Sequence, residues 1–282
     1  DDAAGWAAAT SAASPFLVCS EQGIRHEMVH HPTTMARWVA DLGGEILGVA
    51  RVRPGDGPRE LRVVVQVHPD HQGRGVGSGL FARVLDLAEG AALRGIVNGD
   101  THSGEVARRW QVALQREFMI SSVDPGRVAA PLGTPGGVVV VPLTVAGLEA
   151  VWACHEAAAS GDPSGLTRSI PLEEFAATQW RDPDHRGDLG RAVMADRTVL
   201  AYTSVTATGD RAWNSMTGTL PDQRGRGLAT LAKRHCCAAL AAAGVTRCWA
   251  GNDGANGPML AVNHALGYRR TISTWGAHRA AS

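Results

Sequence analysis

Two short stretches of the chain combine bare backbone with positive charge: HQGRGVGSGL at residues 71–80 and QRGRGLATLA at residues 223–232. The first turn of a helix leaves backbone N–H groups without partners, and the helix dipole adds partial positive charge there. Glycine permits positive φ and close approach, so successive N–H groups can converge on one anion. A pyrophosphate has the right size for such a nest. The residues marked in this way are Gln72, Gly73, Arg74, Gly75, Val76, Gly77 and Ser78 in the first loop. In the second they are Arg224, Gly225, Arg226, Gly227, Leu228, Ala229 and Thr230. Arg74, Arg224 and Arg226 can add charge-assisted contacts. For one loop the plain alternative is a turn that merely starts a helix; two copies at matched places count against it. Neither loop reads G-x-G-x-x-G, and no G-x-x-x-x-G-K-[ST] occurs.

The elements that would hold these loops recur with a period of roughly 150 residues when Gln72 is aligned on Arg224. A strand-like stretch precedes each loop, RELRVVVQVHP at 59–69 and RAWNSMTGTLP at 211–221. An apolar helical stripe follows each: Leu80, Phe81, Val84, Leu85 and Ala88, then Leu228, Leu231, Ala232, Cys236, Ala239 and Leu240. Hairpin patterns lie upstream at 38–52 and 192–205. The proline- and glycine-rich segment 124–137 reads as a linker centred near Pro131, after which VVVVPLT should open the second domain as a strand. The first half shows no equivalent strand before Ala3, the pattern of a trimmed N-terminus.

Composition narrows the function classes. In 282 residues, 27 basic residues balance 27 acidic ones, which argues against a nucleic-acid or anionic-membrane surface. Lys233 is the single lysine. Five cysteines with no C-x-x-C pair argue against a disulfide framework or structural zinc, and for a reducing compartment. The most apolar window, 136–153, is broken by Pro142 and Glu149, so it reads as strand then amphipathic helix rather than a membrane span. The chain starts without methionine and shows no basic-then-apolar leader, so a soluble cytoplasmic protein is expected. HEMVH at His26–His30 matches H-E-x-x-H, but Pro32 ends that helix, Thr33 stands where a glycine would follow, and the second half has no copy. No metal site is expected, and a zinc peptidase is the least favoured reading. Cys236 and Cys237 read as mid-helix packing residues.

The motifs V-x-P-x-x-Q-G-x-G-V-G at Val67–Gly77 and P-x-x-R-G-x-G-L-A at Pro221–Ala229 resemble the acyl-CoA signature of the GNAT acetyltransferase superfamily. NDGANGPMLAVNHALGY at 252–268 resembles the fifth-strand exit and following helix of one GNAT branch, with Asn252, Asn256, Met259, Asn263 and LGY in register. The resemblance implies an α+β (mixed α/β sheet) protein of two tandem GNAT-fold domains, 1–130 and 131–282. Each would be a mostly antiparallel sheet with splayed central strands flanked by helices. It implies acetyl-CoA, or another acyl-CoA, as cofactor and the amine of a small molecule as acceptor. Pantetheine would then pair with Val65, Gln66 and Val67 or with Thr217, Gly218 and Thr219, with Asn256 and Asn263 as further contacts. The family's general-acid tyrosine, five residues before the aromatic of GF or GY, is replaced by Asn263 and, counting back from Phe118, by Ala113. Asn263 either bonds the sulfur or pantetheine, or packs the helix. Glu60 is the candidate base, or a solvated strand-entry charge. Tyr202 is a candidate wall of the acceptor pocket, or a half-buried strand tyrosine. The missing acid keeps open a second function, a non-catalytic acyl-CoA-binding module. The second half, with the fuller helix signature, is expected to be the catalytic one, and the cleaner loop VQVHPDHQGRGVG at 65–77 keeps the reverse assignment open.

Overall fold

A computed structural model describes residues 2–30, 34–131, 133–160 and 169–281. Pro32 and Thr33 lie outside the described residues. The chain divides into two compact units: Asp1–Met119 with Ile272–Ser282, and Ile120–Thr271. The segment around Pro131 therefore lies inside the second unit.

The first unit opens with α1 (Ala3–Ala13) and α2 (Glu21–His30). A hairpin of β1 (Ala36–Leu42) and β2 (Glu45–Pro54) follows, then β3 (Glu60–Val67), α3 (Val76–Ala88), β4 (Ala92–Asn98) and α4 (Thr101–Arg109). β5 (Ala113–Val123) starts in this unit, and the end of β11 (Arg269–Arg279) returns to it. Its strand order is β1-β2-β3-β4-β11. All neighbours are antiparallel except β3 and β4. Alternation along β2 decides the packing. Val49 joins Trp6, Ala9 and Ile24 beneath α1 and α2, while Ala50 and Val52 meet Leu80, Phe81 and Val84 of α3. Each such side chain, once buried, contributes about 1.5–3 kcal/mol relative to exposure.

The second unit contains β6 (Val139–Pro142), α5 (Leu143–Ala146), α6 (Leu148–Ala159), α7 (Leu172–Phe175) and the hairpin of β7 (Arg191–Ala195) and β8 (Thr198–Thr208). β9 (Arg211–Thr219), α8 (Leu228–Ala242), β10 (Arg247–Asp253) and α9 (Gly257–Ala265) complete it. Its strand order is β5-β10-β9-β8-β7-β6, and β9 with β10 is a parallel pair in an otherwise antiparallel run from β6 to β9. β8 is buried on both faces, with Val205 and Ala207 against Cys236 and Leu240 of α8 and with Tyr202 against Val151 and Phe175.

Both hairpins, both strand–loop–helix units and the strand at 139–142 fall where the sequence patterns put them.

Candidate functional site

The two glycine loops have the same backbone. Each strand leads into a single 3-10 turn, Pro69–His71 or Pro221–Gln223, and then an extended residue: Gln72 at φ −67°, ψ 159° and Arg224 at φ −64°, ψ 159°. Gly73, Gly75, Gly225 and Gly227 follow with φ of 72°, 84°, 76° and 75°, a region that other residues enter only with strain. A Cβ built on any of the four meets nothing within 4 Å. Gly75 caps α3 and Gly227 caps α8, neither with a side-chain cap hydrogen bond. Both helices thus start at glycines with open space on the Cβ side. Arg74, Arg224 and Arg226 are exposed around them. Arg224 also donates to the Ala158 carbonyl at 3.4 Å, and Arg226 to the side-chain oxygen of Gln223. Gln72 donates to the Val67 carbonyl at 3.3 Å. Left-handed glycines with open space beside a helix start are the backbone arrangement that an anion such as a diphosphate can use.

Upstream of each loop the parallel ladder breaks after three pairs. β3 and β4 are in register at Glu60↔Ala92, Leu61↔Leu93 and Arg62↔Arg94, and then diverge. β9 and β10 are in register at Arg247↔Arg211, Cys248↔Ala212 and Trp249↔Trp213, and then diverge. Val65–Val67 and Thr217–Thr219 lie along these gaps, each still paired on the other side with β2 or β8. The gaps differ in one respect. β3 runs unbroken against β2, whereas β9 carries a bulge at Ser215, where the register with β8 shifts between Ser204 and Val205. Counting back from the aligned Gln72 and Arg224, the second unit has one residue more before its ladder begins, and Ser215 is that residue.

Of the catalytic candidates, Glu60 belongs to the first unit and Tyr202 and Asn263 to the second. Glu60 begins β3 at the closed end of its ladder, about 23 Å of strand from the loop. Its carboxylate pairs with Arg94 and accepts from the Asp56 N–H at 3.2 Å. The Arg94 hydrogen bond holds it below the usual carboxylate range, which suits an ion pair better than a base. Tyr202 is not a half-exposed wall residue. It is 1% exposed, and its hydroxyl is 2.8 Å from Nδ1 of His155. Its ring occupies the space that a Cβ on Gly218 would need. Burial pushes its hydroxyl well above its ordinary value. Asn256 caps α9, accepting from the Met259 N–H at 3.2 Å. Gln66 is tied back to Thr10 and Ser14.

Asn263 is 3% exposed and belongs to a polar cluster beside the β9–β10 gap. Lys233 of α8, 2% exposed, donates from Nζ to Oδ1 of Asn214 at 2.5 Å and to Oδ1 of Asn263 at 2.6 Å. Nδ2 of Asn263 donates to Oδ1 of Asn252 at 2.6 Å. Nζ also lies 4.7 Å from the Tyr268 ring centroid. Burial pulls the lysine down and pushes the surrounding thiols up, Cys237 to about 12. Sequence reasoning noted Lys233 only as a compositional oddity. Its signal was positional, since a sole lysine in step with Cys236, Cys237 and Leu240 lies on the buried face.

In the first unit the residue structurally matched to Asn263 is Ala107, not Ala113. Gln111, at φ 58°, ends α4 as Gly267, at φ 84°, ends α9, and Ala113 already belongs to β5. Beside α3 the first unit has Phe81 stacked on Trp110, centroids 4.1 Å apart.

In α2, His26 and His30 share a face with ring centroids 4.2 Å apart. Glu27 between them is engaged by Arg37, Arg51 and Arg53. Among the described residues, no group of three metal-ligating side chains is present and no helix is long and apolar enough to cross a membrane.

Tandem strand–loop–helix units with splayed parallel strands define a GNAT-type fold in each unit. Consistently, residues 36–113 match the model of the acetyltransferase (GNAT) domain. Three solved structures extend the likeness of fold. A tandem GNAT protein from the clavulanic acid biosynthesis pathway is 22% identical with a TM-score of 0.73, over 99% of this chain and 92% of that one. A GCN5-related N-acetyltransferase from Sphaerobacter thermophilus is 15% identical, TM-score 0.67, over 99% and 92%. One from Kribbella flavida is 19% identical, TM-score 0.60, over 88% and 91%. No curated protein sequence matches the chain.

Proposed function

We propose that the protein is an acyl-CoA-dependent N-acyltransferase that moves an acetyl group from acetyl-CoA to the amine of a small molecule, with the chemistry in the second unit. The observation that carries this reading is the pair of open positive-φ glycine loops, each at the mouth of a splayed parallel ladder. Bound acyl-CoA would supply a thioester whose carbonyl carbon accepts the amine. Gly73–Ser78 and Gly225–Thr230 would hold its diphosphate through N–H groups and arginine. Thr217–Thr219, and in the first unit Val65–Val67, would run beside its pantetheine as a strand neighbour does. In the second unit the bulge at Ser215 re-aims main-chain groups of β9 toward the gap, which favours polarisation of the thioester carbonyl there. The first unit, with an unbroken β3 and the Phe81–Trp110 stack, holds cofactor without those groups.

No tyrosine occupies the family's acid position in either unit, which favours a second reading, a non-catalytic acyl-CoA-binding module. A departing thiolate, with a thiol pKa of about 8.5, can take its proton from water. Release of free thiol from acetyl-CoA over a panel of small amines separates the two. Turnover with at least one amine supports transfer, and tight binding with no turnover across the panel selects the module.

A further inference from the structure

The strongest unexplained feature is the buried Nζ of Lys233, which among the described residues hydrogen-bonds two asparagine oxygens and no carboxylate. Lysine only donates, so Asn214 and Asn263 must both turn Oδ1 toward Nζ, as they do. The third Nζ hydrogen faces the Tyr268 ring, where a cation is attracted and a lone pair would be repelled. Once Asn263 has given its oxygen to Lys233, its amide can only donate, and Oδ1 of Asn252 receives it at 2.6 Å. The Asn252 oxygen is thereby committed to Asn263, which leaves Nδ2 as the donor end of that side chain. Asn252 is half-buried and lies three residues past the last β9–β10 pair, beside the gap. On the other arm, Nδ2 of Asn214 donates to the Ser204 and Met216 carbonyls at 2.9 and 3.3 Å, the groups flanking the Ser215 bulge. One buried Nζ is thus linked to Asn214 on β9 and, through Asn263, to Asn252 on β10.

We propose that Lys233 is a positioning residue that orients Asn263 and Asn252 in series, so that the Asn252 amide presents a hydrogen-bond donor to the acyl end of a thioester in the β9–β10 gap. This rests on the acyl-CoA reading above. The thioester carbonyl accepts such a bond, whereas the free thiol of CoA offers only a weak acceptor. Lys233 therefore acts on discrimination between acetyl-CoA and CoA, not on the grip on their shared diphosphate.

Calorimetry with acetyl-CoA and with CoA tests this on the full chain, with the first-unit loop closed by Gly75→Val in every sample. The unsubstituted second unit should prefer acetyl-CoA by roughly five-fold, the worth of one neutral hydrogen bond. Lys233→Met and Asn252→Ala should each bring that ratio near one while CoA affinity stays. A ratio that survives Lys233→Met, or a loss of both ligands alike, overturns the proposal. Should Lys233→Met fail to fold, Asn252→Ala and one spectrum decide. The chain has one lysine, so labelled Nζ gives a single side-chain signal. That signal should move on adding acetyl-CoA and stay still in Asn252→Ala; a signal unmoved in the parent protein overturns the proposal. Absence of binding by either nucleotide overturns the cradle reading and this inference together, whereas binding without discrimination overturns this inference alone.

Discussion

Replacing Gly227 by alanine separates the strain of the loop from its use. At φ 75° an L-residue incurs about 1–2 kcal/mol, whatever the space around it. A Cβ there meets nothing within 4 Å in the protein, so no further packing penalty arises. Gly244, just past the other end of α8, has φ 82° and equally open surroundings, and so provides a matched control. Both variants should lose the same stability, and melting temperature should fall a few degrees in each, at roughly 2–4 °C per kcal/mol for a chain of this class. Only Gly227→Ala should lose CoA, because its methyl group enters the concavity and displaces the anion from at least one N–H. A hydrogen bond to a charged group contributes about 1.5–3 kcal/mol, so affinity at that site should drop roughly ten-fold or more. Calorimetric titration should show two sites per chain before substitution, with Gly75→Ala weakening the first-unit site and Gly227→Ala the second. If Gly227→Ala binds CoA as tightly as the parent, or Gly244→Ala loses as much affinity, the diphosphate does not sit on this loop.

Tyr202→Phe should leave His155 Nδ1 buried without its 2.8 Å partner and destabilise by about 1–3 kcal/mol in urea unfolding, with CoA affinity unchanged. Glu60→Gln should change neutral-pH stability by only about 0.2–1 kcal/mol. The folded carboxyl lies below its unfolded value, so its contribution is present above the unfolded pKa and vanishes as pH falls through the folded one; the variant should lack that acid-side loss. Lys233 is shifted in the same direction, by burial rather than by an ion pair. Its folded pKa is below the unfolded 10.5, so between the two the unfolded chain binds more protons and stability rises with pH. A stability–pH profile of Lys233→Met should lack that alkaline rise.

What could be read from the sequence was local. Four glycines beside arginines specify the loops because positive φ is a property of single residues, and the hairpins follow from turn residues between apolar runs. What could not be read depends on register. No pattern marks Ser215 as an extra residue in β9, since bulges are visible only against the partner strand. Glu60 looked adjacent to the site because it is near in sequence. The direction of the parallel ladder puts it at the closed end. Phe118 looked like the counterpart of Tyr268, yet Gln111 supplies the left-handed turn that Gly267 supplies in the second unit, so the count fell in β5 rather than on α4.

The two units keep one feature alike and let another differ, and the energetics explain why these separate. The cradle is made of main chain, so it needs only two glycines and a helix start, and both units retain that geometry to within about ten degrees of φ at matched glycines. The wall of the gap is made of side chains. In the first unit Phe81 and Trp110 stack there, an arrangement that adds about 0.5–1.5 kcal/mol beyond burial. In the second unit the position aligned with Phe81 holds Lys233, whose desolvation is worth several kcal/mol against folding. Apolar replacement of such a group is often neutral or stabilising, so packing alone gives no reason for an ammonium at this position. A reason exists if the amides it orients must present donors to the gap. The same unit carries the Ser215 bulge on the strand that borders that gap. The two departures from the apolar, unbroken first unit lie in the same unit, and that coincidence is the reason for proposing acyl transfer in the second unit and cofactor binding alone in the first.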